Sequence, residues 1–317
     1  MPPNELPERQ TTPPASATPA DHTQRLISTY LRTLTSPATI KTYNTEIRAI
    51  VNHLCEKGIP LAEITPEDLS VYREYVVSTY SSATSAKKLA VARRFLTFTH
   101  MAGVTVPGPE VLKFFAKSPK VNQDPSYNVL NKEELSRMLS AAYRESSRDY
   151  LMISVMAGCG LREGEVVEIR LGDFQELEEE QVLLRVRGKG NKIRNVPISP
   201  ALWHTVQRYI TSSGRSLTSN PDTRKPLFCS RVGTDKPLTT RSIQNIIKKY
   251  VRAAGITKPI SPHSIRHTVG TNMAMNEAPL LVIQQFLGHS DPKTTLRYVR
   301  RAEELAAKAY TYNTLTS

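Results

Sequence analysis

The sequence predicts a mainly α-helical protein with a small antiparallel β-sheet, arranged as two domains. Three observations carry this. Apolar residues recur at helical spacings of three and four through residues 21–117 and again after Pro200. Residues 173–199 switch to short strand-like runs around a Gly-rich connector. Ser118–Tyr127 (SPKVNQDPSY) is polar, holds two prolines and has no periodicity, which marks a linker. A chain of 317 residues is long enough for two cores of ordinary size.

Residues 1–20 carry six prolines among Thr, Ala and Ser, and a disordered leader is expected there. Helical character starts at Asp21. In Thr39–Gly58, residues Ile40, Tyr43, Ile47, Ile50, Val51 and Leu54 share one face, and a glycine ends the run. Thr65-Pro66-Glu67-Asp68 opens the next helix with a capping signature and a proline at its first position. Ser82–His100 is a third amphipathic helix and Leu112–Ala116 a short fourth, so 21–117 reads as a bundle of about four helices. Past the linker, residues 128–317 form the second domain. Asn131 caps a helix with Glu134 three positions on, and another helix covers Ser147–Met156. Ala157–Gly160 reads as a tight turn and Leu161–Arg170 as the next helix. Gln181–Arg187 and Ile193–Ser199 are strands flanking Gly188-Lys189-Gly190-Asn191-Lys192, and Asp173–Leu177 is a candidate third. Helices return after Pro200, punctuated by Gly255, Pro262, Gly288 and Pro292. No internal repeat is visible.

Composition narrows the function. Hydrophobic residues make up 39% and charged residues 22% of the chain, a globular balance. No run approaches the roughly 18 apolar residues that span a bilayer. The N-terminus lacks the basic-then-apolar pattern of a secretory signal. Three cysteines, Cys55, Cys159 and Cys229, are far apart and lack CxxC spacing, which excludes a disulfide framework and a cysteine zinc site and suits a reducing cytoplasm. The net charge of +13 makes nucleic acid a candidate partner, because Lys and Arg neutralise phosphates and release counterions. Most of that excess lies in residues 127–317, with 28 Lys and Arg against 18 Asp and Glu.

Four short segments carry candidate chemistry: Gly160-Leu-Arg162-Glu-Gly-Glu165, Gly188-Lys189-Gly190, Pro262-His263-Ser-Ile-Arg266-His267, and Leu287-Gly288-His289-Ser290, nine residues before Tyr298. Each alone has an ordinary reading. An Arg near a helix N-terminus is usually a surface residue, a Lys in a Gly-rich turn a solvated loop, and His-x-x-Arg a surface pair on one helical face. His289 follows a helix-ending glycine and could serve as a cap. A Tyr at an apolar helical position is normally core. GKGNK lacks the Gly-x4-Gly-Lys-[Ser/Thr] pattern, so a nucleotide-binding P-loop is not supported.

The set taken in order resembles the tyrosine recombinases: phage-type integrases, Xer-type resolvases and transposon resolvases. That family carries Arg, Lys, His-x-x-Arg and His followed by a nucleophilic Tyr. The matching positions here are Arg162, Lys189, His263, Arg266, His289 and Tyr298, and GCGLREGEV, RGKGNKIRNVPI, SPHSIRHTVGT and FLGHSDPKTTLRYV match around them. The match covers about residues 127–310 in detail. Residues 21–117 are similar in pattern to the family's helical core-binding domain, and 128–317 to its α+β catalytic domain. One departure is the acidic Glu176–Glu180 stretch before the second strand.

The resemblance implies site-specific DNA strand exchange without metal, nucleotide or other cofactor. Tyr298 would attack the scissile phosphate, forming a 3′-phosphotyrosyl bond and releasing a 5′-hydroxyl. Arg162 and Arg266 would clamp the non-bridging oxygens with fixed guanidinium forks. The Tyr298 hydroxyl ordinarily ionises near pH 10, so it needs a base, and His263 is the expected acceptor. Lys189 would protonate the leaving oxygen, with Lys192 in reserve. His289 would hydrogen-bond the phosphate or hold the pocket together. His267 is left out, because helical geometry beside Arg266 is expected to direct it elsewhere. Tyr310 and Tyr312 lie beyond the matched motif. The helix-forming stretch Ala302–Tyr310 packs on its own domain or docks on a neighbouring subunit. The implied partners are double-stranded DNA with a specific site and a homotetramer, or a heterotetramer with a paralogue, spanning two sites. The two domains would close around the duplex, and the expected location is the cytoplasm, at the nucleoid. Two other readings stay open: a type IB topoisomerase-like relaxing enzyme, against which the LGHS motif and the short helical domain argue, and a catalytically silent DNA-binding regulator, against which the intact six-residue set argues.

Overall fold

A computed structural model describes residues 19–105, 107–116, 128–177, 181–188, 190, 192–215, 223–230 and 235–312, with the side chains of 19, 20 and 306–312 excepted. The expected linker 118–127, nearly all of the expected leader and Lys189 lie outside the described residues. The chain divides into two compact units, Met1–Pro125 and Ser126–Ser317. No helix among the described residues is long and apolar enough to cross a membrane.

The first unit is entirely helical among its described residues: α1 (Pro19–Arg32), α2 (Pro37–Glu56), α3 (Pro66–Thr79), α4 (Ser82–Met101) and α5 (Pro109–Phe115). These are five helices where the periodicity suggests about four, because α1 is separated from α2 by a break before Pro37. The Ser36 side chain accepts from the Thr39 N–H to start α2. Thr65 and Asp68 close a reciprocal capping box at α3, satisfying two donors that a helix start leaves orphaned. The apolar stripe of α2 does what its spacing predicts: Ile47, Ile50 and Leu54 are buried against Leu69, Tyr72 and Val76 of α3 and Leu89, Phe95 and Leu96 of α4. Glu46 is buried among them and is held by Lys87 and Lys88, each at 2.7 Å.

The second unit holds α6 (Lys132–Glu145), α7 (Ser147–Cys159), α8 (Glu163–Glu168), β1 (Phe174–Glu176), β2 (Val182–Arg187), β3 (Ile193–Ile198), α9 (Pro200–Ser212), α10 (Thr240–Ala253), α11 (Pro262–Met275), α12 (Leu280–Leu287) and α13 (Pro292–Tyr312). The strands form one antiparallel sheet in the order β1-β2-β3, with Leu184 opposite both Phe174 and Val196. Val182, Leu184, Val186, Val196 and Ile198 face a core completed by Leu151, Met152, Val155 and Met156 of α7 and by Trp203 and Val206 of α9. At the hairpin mouth, the Gly188 N–H donates to the Lys192 carbonyl at 2.7 Å.

Two expectations for this unit need correction. Helix α7 does not turn at Ala157 but runs to Cys159, and Gly160 alone makes the stop in the left-handed conformation (φ 60°). The next helix is shorter than Leu161–Arg170. Arg162 is extended at its N-cap, and after Glu168 the chain tightens into a 3-10 turn, where the Asp173 carboxylate accepts from the Arg170 N–H.

Candidate active site

The site forms where four sequence-distant segments meet at the junction of α12 and α13. Gly288 ends α12 in the left-handed conformation (φ 67°), which turns the Leu287 and Gly288 carbonyls out of the helix. Both are taken by arginines. Arg266, on α11, donates to the carbonyls of Leu287 and, at 2.6 Å, Gly160. Arg162 reaches the Gly288 carbonyl at 3.4 Å. The next residue, His289, stacks on the ring of Tyr298 with centroids 5.8 Å apart, while its Nδ1 lies 2.8 Å from the Thr295 hydroxyl. One short turn therefore gathers Arg162, Arg266, His289 and Tyr298.

Glu165 organises the cationic side. It is buried in the first turn of α8 and accepts from the backbone N–H of Arg162 and from the Arg162 guanidinium, both at 2.8 Å. Arg194 on β3 forks onto the two carboxylate oxygens at 2.8 and 2.9 Å and donates its Nε to the Phe286 carbonyl. Arg266 approaches the same carboxylate at 3.8 Å. Burial alone would raise the Glu165 pKa, but the hydrogen bonds and charge of Arg194, then of Arg162, hold it below the ordinary carboxylate range. Glu165 and Arg194 both stand inside segments the sequence singles out, yet neither is predicted as a site residue. Their signal is charge within a sheet-and-helix core.

The arginines differ in exposure. Arg266 is buried at 2% exposed, and burial together with the Arg162 charge lowers its pKa to about 10. It remains a cation at neutral pH. Arg162 keeps 36% of its side chain open to solvent. Tyr298 is 1% exposed, packed among Ile283, Leu287, Val269 and Met273 and against the bare Cα of Gly270.

The histidines correct one expectation. His267 is not directed away from the site: its Nδ1 lies 3.0 Å from the Tyr298 hydroxyl, with ring centroids 5.6 Å apart. His263, the expected proton acceptor, is exposed one turn earlier on α11, its ring centroid 6.3 Å from that of His267. Adjacent helix residues such as Arg266 and His267 do not share a face. The informative comparison is with His263, four residues back, which shares its face. Burial, then the charges of His263, Arg297 and Arg266, push the His267 pKa down to about 4. Burial and the same arginines with Arg162 push His289 down to about 3. Both rings are neutral at pH 7. Among the described residues, no group of three or more His, Cys, Asp or Glu side chains is placed to hold a metal ion.

Comparison with known proteins gives a consistent picture. Family models described as the phage integrase family and the phage integrase N-terminal SAM-like domain match residues 128–304 and 27–103. A tyrosine recombinase XerD of Proteus mirabilis is 30% identical over 287 residues, covering 89% of this chain and 88% of its own. A tyrosine recombinase XerC of Listeria innocua is 28% identical over 281 residues, covering 87% and 91%. The fold is that of a lambda integrase fragment (residues 75–356) solved as a dimer bound to a COC′ core site, with TM-score 0.67 at 16% identity over 87% of this chain and 94% of that one.

Proposed function

This chain belongs to the phage integrase family of tyrosine recombinases, and we propose that it exchanges DNA strands with the groups gathered at the α12–α13 junction as its machinery. It is a site-specific recombinase. The relaxing-enzyme and silent-regulator readings are not favoured by relatives that are recombinases along most of their length. The observation that carries the assignment of residues is the turn Leu287–His289, which binds both guanidiniums through its carbonyls and stacks the nucleophile on its histidine.

In the proposed reaction Tyr298 Oη bonds to the scissile phosphorus and the P–O5′ bond breaks. Arg162 and Arg266 neutralise the charge that builds on the non-bridging oxygens. His289 hydrogen-bonds an oxygen of the same phosphate, His263 handles protons at the open side of the pocket, and Lys189 protonates the departing 5′-oxygen. A 5′-hydroxyl from a second strand reverses the step. The ester energy is kept in the phosphotyrosyl bond, so the reaction proceeds without ATP, metal or other cofactor.

Double-stranded DNA with a specific recombination site is the proposed substrate, supported by the excess of basic residues and by the core-site complex of lambda integrase. We place four protomers on two such sites, as a homotetramer or with a paralogue, in the cytoplasm at the nucleoid. The helical first unit is proposed to add DNA contacts, and it carries Lys41 and Arg48 on α2 and Arg93 on α4.

The test is capture of covalent adducts. Wild-type protein and Tyr298→Phe are incubated with fragmented DNA of the source organism without added metal, denatured and recovered, and the attached DNA is sequenced. Adducts from wild type alone, concentrated at one sequence, establish nucleophile and target together. Scattered adducts would restore the relaxing-enzyme reading, and adducts from Tyr298→Phe would remove Tyr298.

A further inference from the structure

We propose that His267 takes the proton of Tyr298 as the oxygen–phosphorus bond forms, leaving His263 to proton traffic at the open side of the pocket. The inference rests on the reading of Tyr298 as nucleophile and deepens it.

The geometry comes first. The His267 Nδ1 lies 3.0 Å from the Tyr298 hydroxyl oxygen, inside the range for direct proton transfer. The contact joins two helices, since His267 is on α11 and Tyr298 on α13. The nucleophile is gripped on three sides. Its ring is stacked on His289, its edge lies against Gly270, and its hydroxyl meets His267. His263 is exposed on the preceding turn of the same helix face. Two histidines four residues apart thus face one pocket at different depths, the inner one on the nucleophile and the outer one on solvent.

The charge around the inner ring fits the task. Its neighbours are His263 and Arg266 on α11, Arg297 and Tyr298 on α13, and His289 between α12 and α13. Burial and the cations among these keep His267 neutral, so its ring can present a lone pair to the hydroxyl. When a DNA phosphate enters, its negative charge offsets Arg162 and Arg266 and makes a protonated His267 easier to form. Basicity then rises when the substrate is in place. The step balances. Oη loses its proton to Nδ1 and bonds to phosphorus, the P–O5′ pair leaves with the oxygen, and a separate acid protonates that oxygen. Rejoining returns the proton from Nδ1 to Oη.

The test uses the full chain and a nicked duplex carrying the site recovered by adduct capture. Single-turnover adduct formation is followed from about pH 6 to 9 for wild type, His267→Asn and His267→Ala, bracketing the ordinary histidine range. Asn sets its amide oxygen near the Nδ1 position, so it keeps a hydrogen bond to Tyr298 but cannot take a proton. Both variants are expected to lose about 10²–10⁴-fold at neutral pH, the usual worth of a positioned base, and to recover as the pH approaches the tyrosine's own ionisation. A fluorinated tyrosine at position 298, already ionised near neutrality, should restore the rate of His267→Asn. A 5′-bridging phosphorothiolate substrate, whose leaving group needs no acid, should not. A structural role would show neither the steeper pH profile nor rescue by the acidified phenol. His267→Asn cleaving at the wild-type rate, or slow at every pH and unmoved by the fluorinated tyrosine, would overturn the proposal. No adduct from wild type would instead overturn the reading of Tyr298 on which it stands.

Discussion

Gly270→Ala asks whether Tyr298, the proposed nucleophile, is held where the structure places it, without altering any group of the proposed pocket. Gly270 lies in α11 against the edge of the Tyr298 ring. A Cβ there would stand 2.8 Å from Cε2 and 2.9 Å from both Cδ2 and Cζ of Tyr298. Carbon atoms pack best at about 3.5–4.0 Å, so the ring must retreat by about 0.7 Å or more. Helix backbone cannot yield easily, and the ring is already stacked on His289. Overpacking of this kind costs about 1–3 kcal/mol, offset by up to about 1 kcal/mol because Ala is the better helix former. The net cost, at most about 3 kcal/mol, lowers Tm by up to about 12 °C for a domain near 190 residues, at about 2–4 °C per kcal/mol. The rate should suffer more, because misplacing a reacting atom by about 1 Å costs about 10²-fold. The assay pairs single-turnover adduct formation with a thermal melt and a DNA-binding titration, in which binding should stay near wild type. Gly164→Ala in α8 is the melting control, since a Cβ there meets nothing within 4 Å. Gly270→Ala cleaving and melting like wild type would refute the packing argument.

Other outcomes follow from the same geometry. Glu165→Gln leaves the part-buried Arg194 fork without its counter-charge and should cost up to about 3 kcal/mol in urea unfolding. Because the Glu165 pKa is depressed, its stabilisation is complete above the ordinary carboxylate value and fades as pH falls through the lowered one, so Glu165→Gln should flatten the acid arm of a stability–pH curve below about pH 4.5. Arg162→Ala and Arg266→Ala should each cut cleavage by several orders of magnitude, but only Arg266→Ala should also lower Tm, because it strands the buried carbonyls of Gly160 and Leu287. Full activity in either variant would remove that arginine from the pocket. His267 and His289 have pKa values pushed down to about 4 and about 3, so the unfolded chain binds protons that the folded chain refuses. Stability should therefore fall as pH drops below about 6.5, by up to about 1.4 kcal/mol per pH unit for each ring, and His289→Asn should lessen that slope in chemical denaturation.

The parts of this molecule that are local were legible in the sequence. Thr65 with Asp68, and Asn131 with Glu134, close the capping boxes their spacing announces. The strand pair around Gly188–Lys192 sits in the expected register of a hairpin, and Phe174–Glu176 adds the third strand. The parts that depend on distant packing were not legible. Gly158 reads as part of a turn, yet it lies within α7, where a Cβ would stand 2.9 Å from a Leu202 methyl of α9 and close packing calls for glycine. Glu165 reads as one more acidic residue after an arginine, and only the fold brings Arg194 onto it from β3. The place of His267 is not legible from its chain neighbour, because nothing in the α11 segment alone says that α13 lays Tyr298 against that flank.

The shared carboxylate has a consequence for how such enzymes can be rebuilt. Glu165 joins residue 162 to 194, and Arg194 and Arg266 carry the connection on to the backbone of 286 and 287. A chimera cut between β3 and α11 would ask one parent's carboxylate to seat the other parent's guanidinium, with tenths of an ångström deciding whether the turn at Gly288 closes. The workable unit of exchange is therefore the block from Gly160 to Tyr298 taken whole.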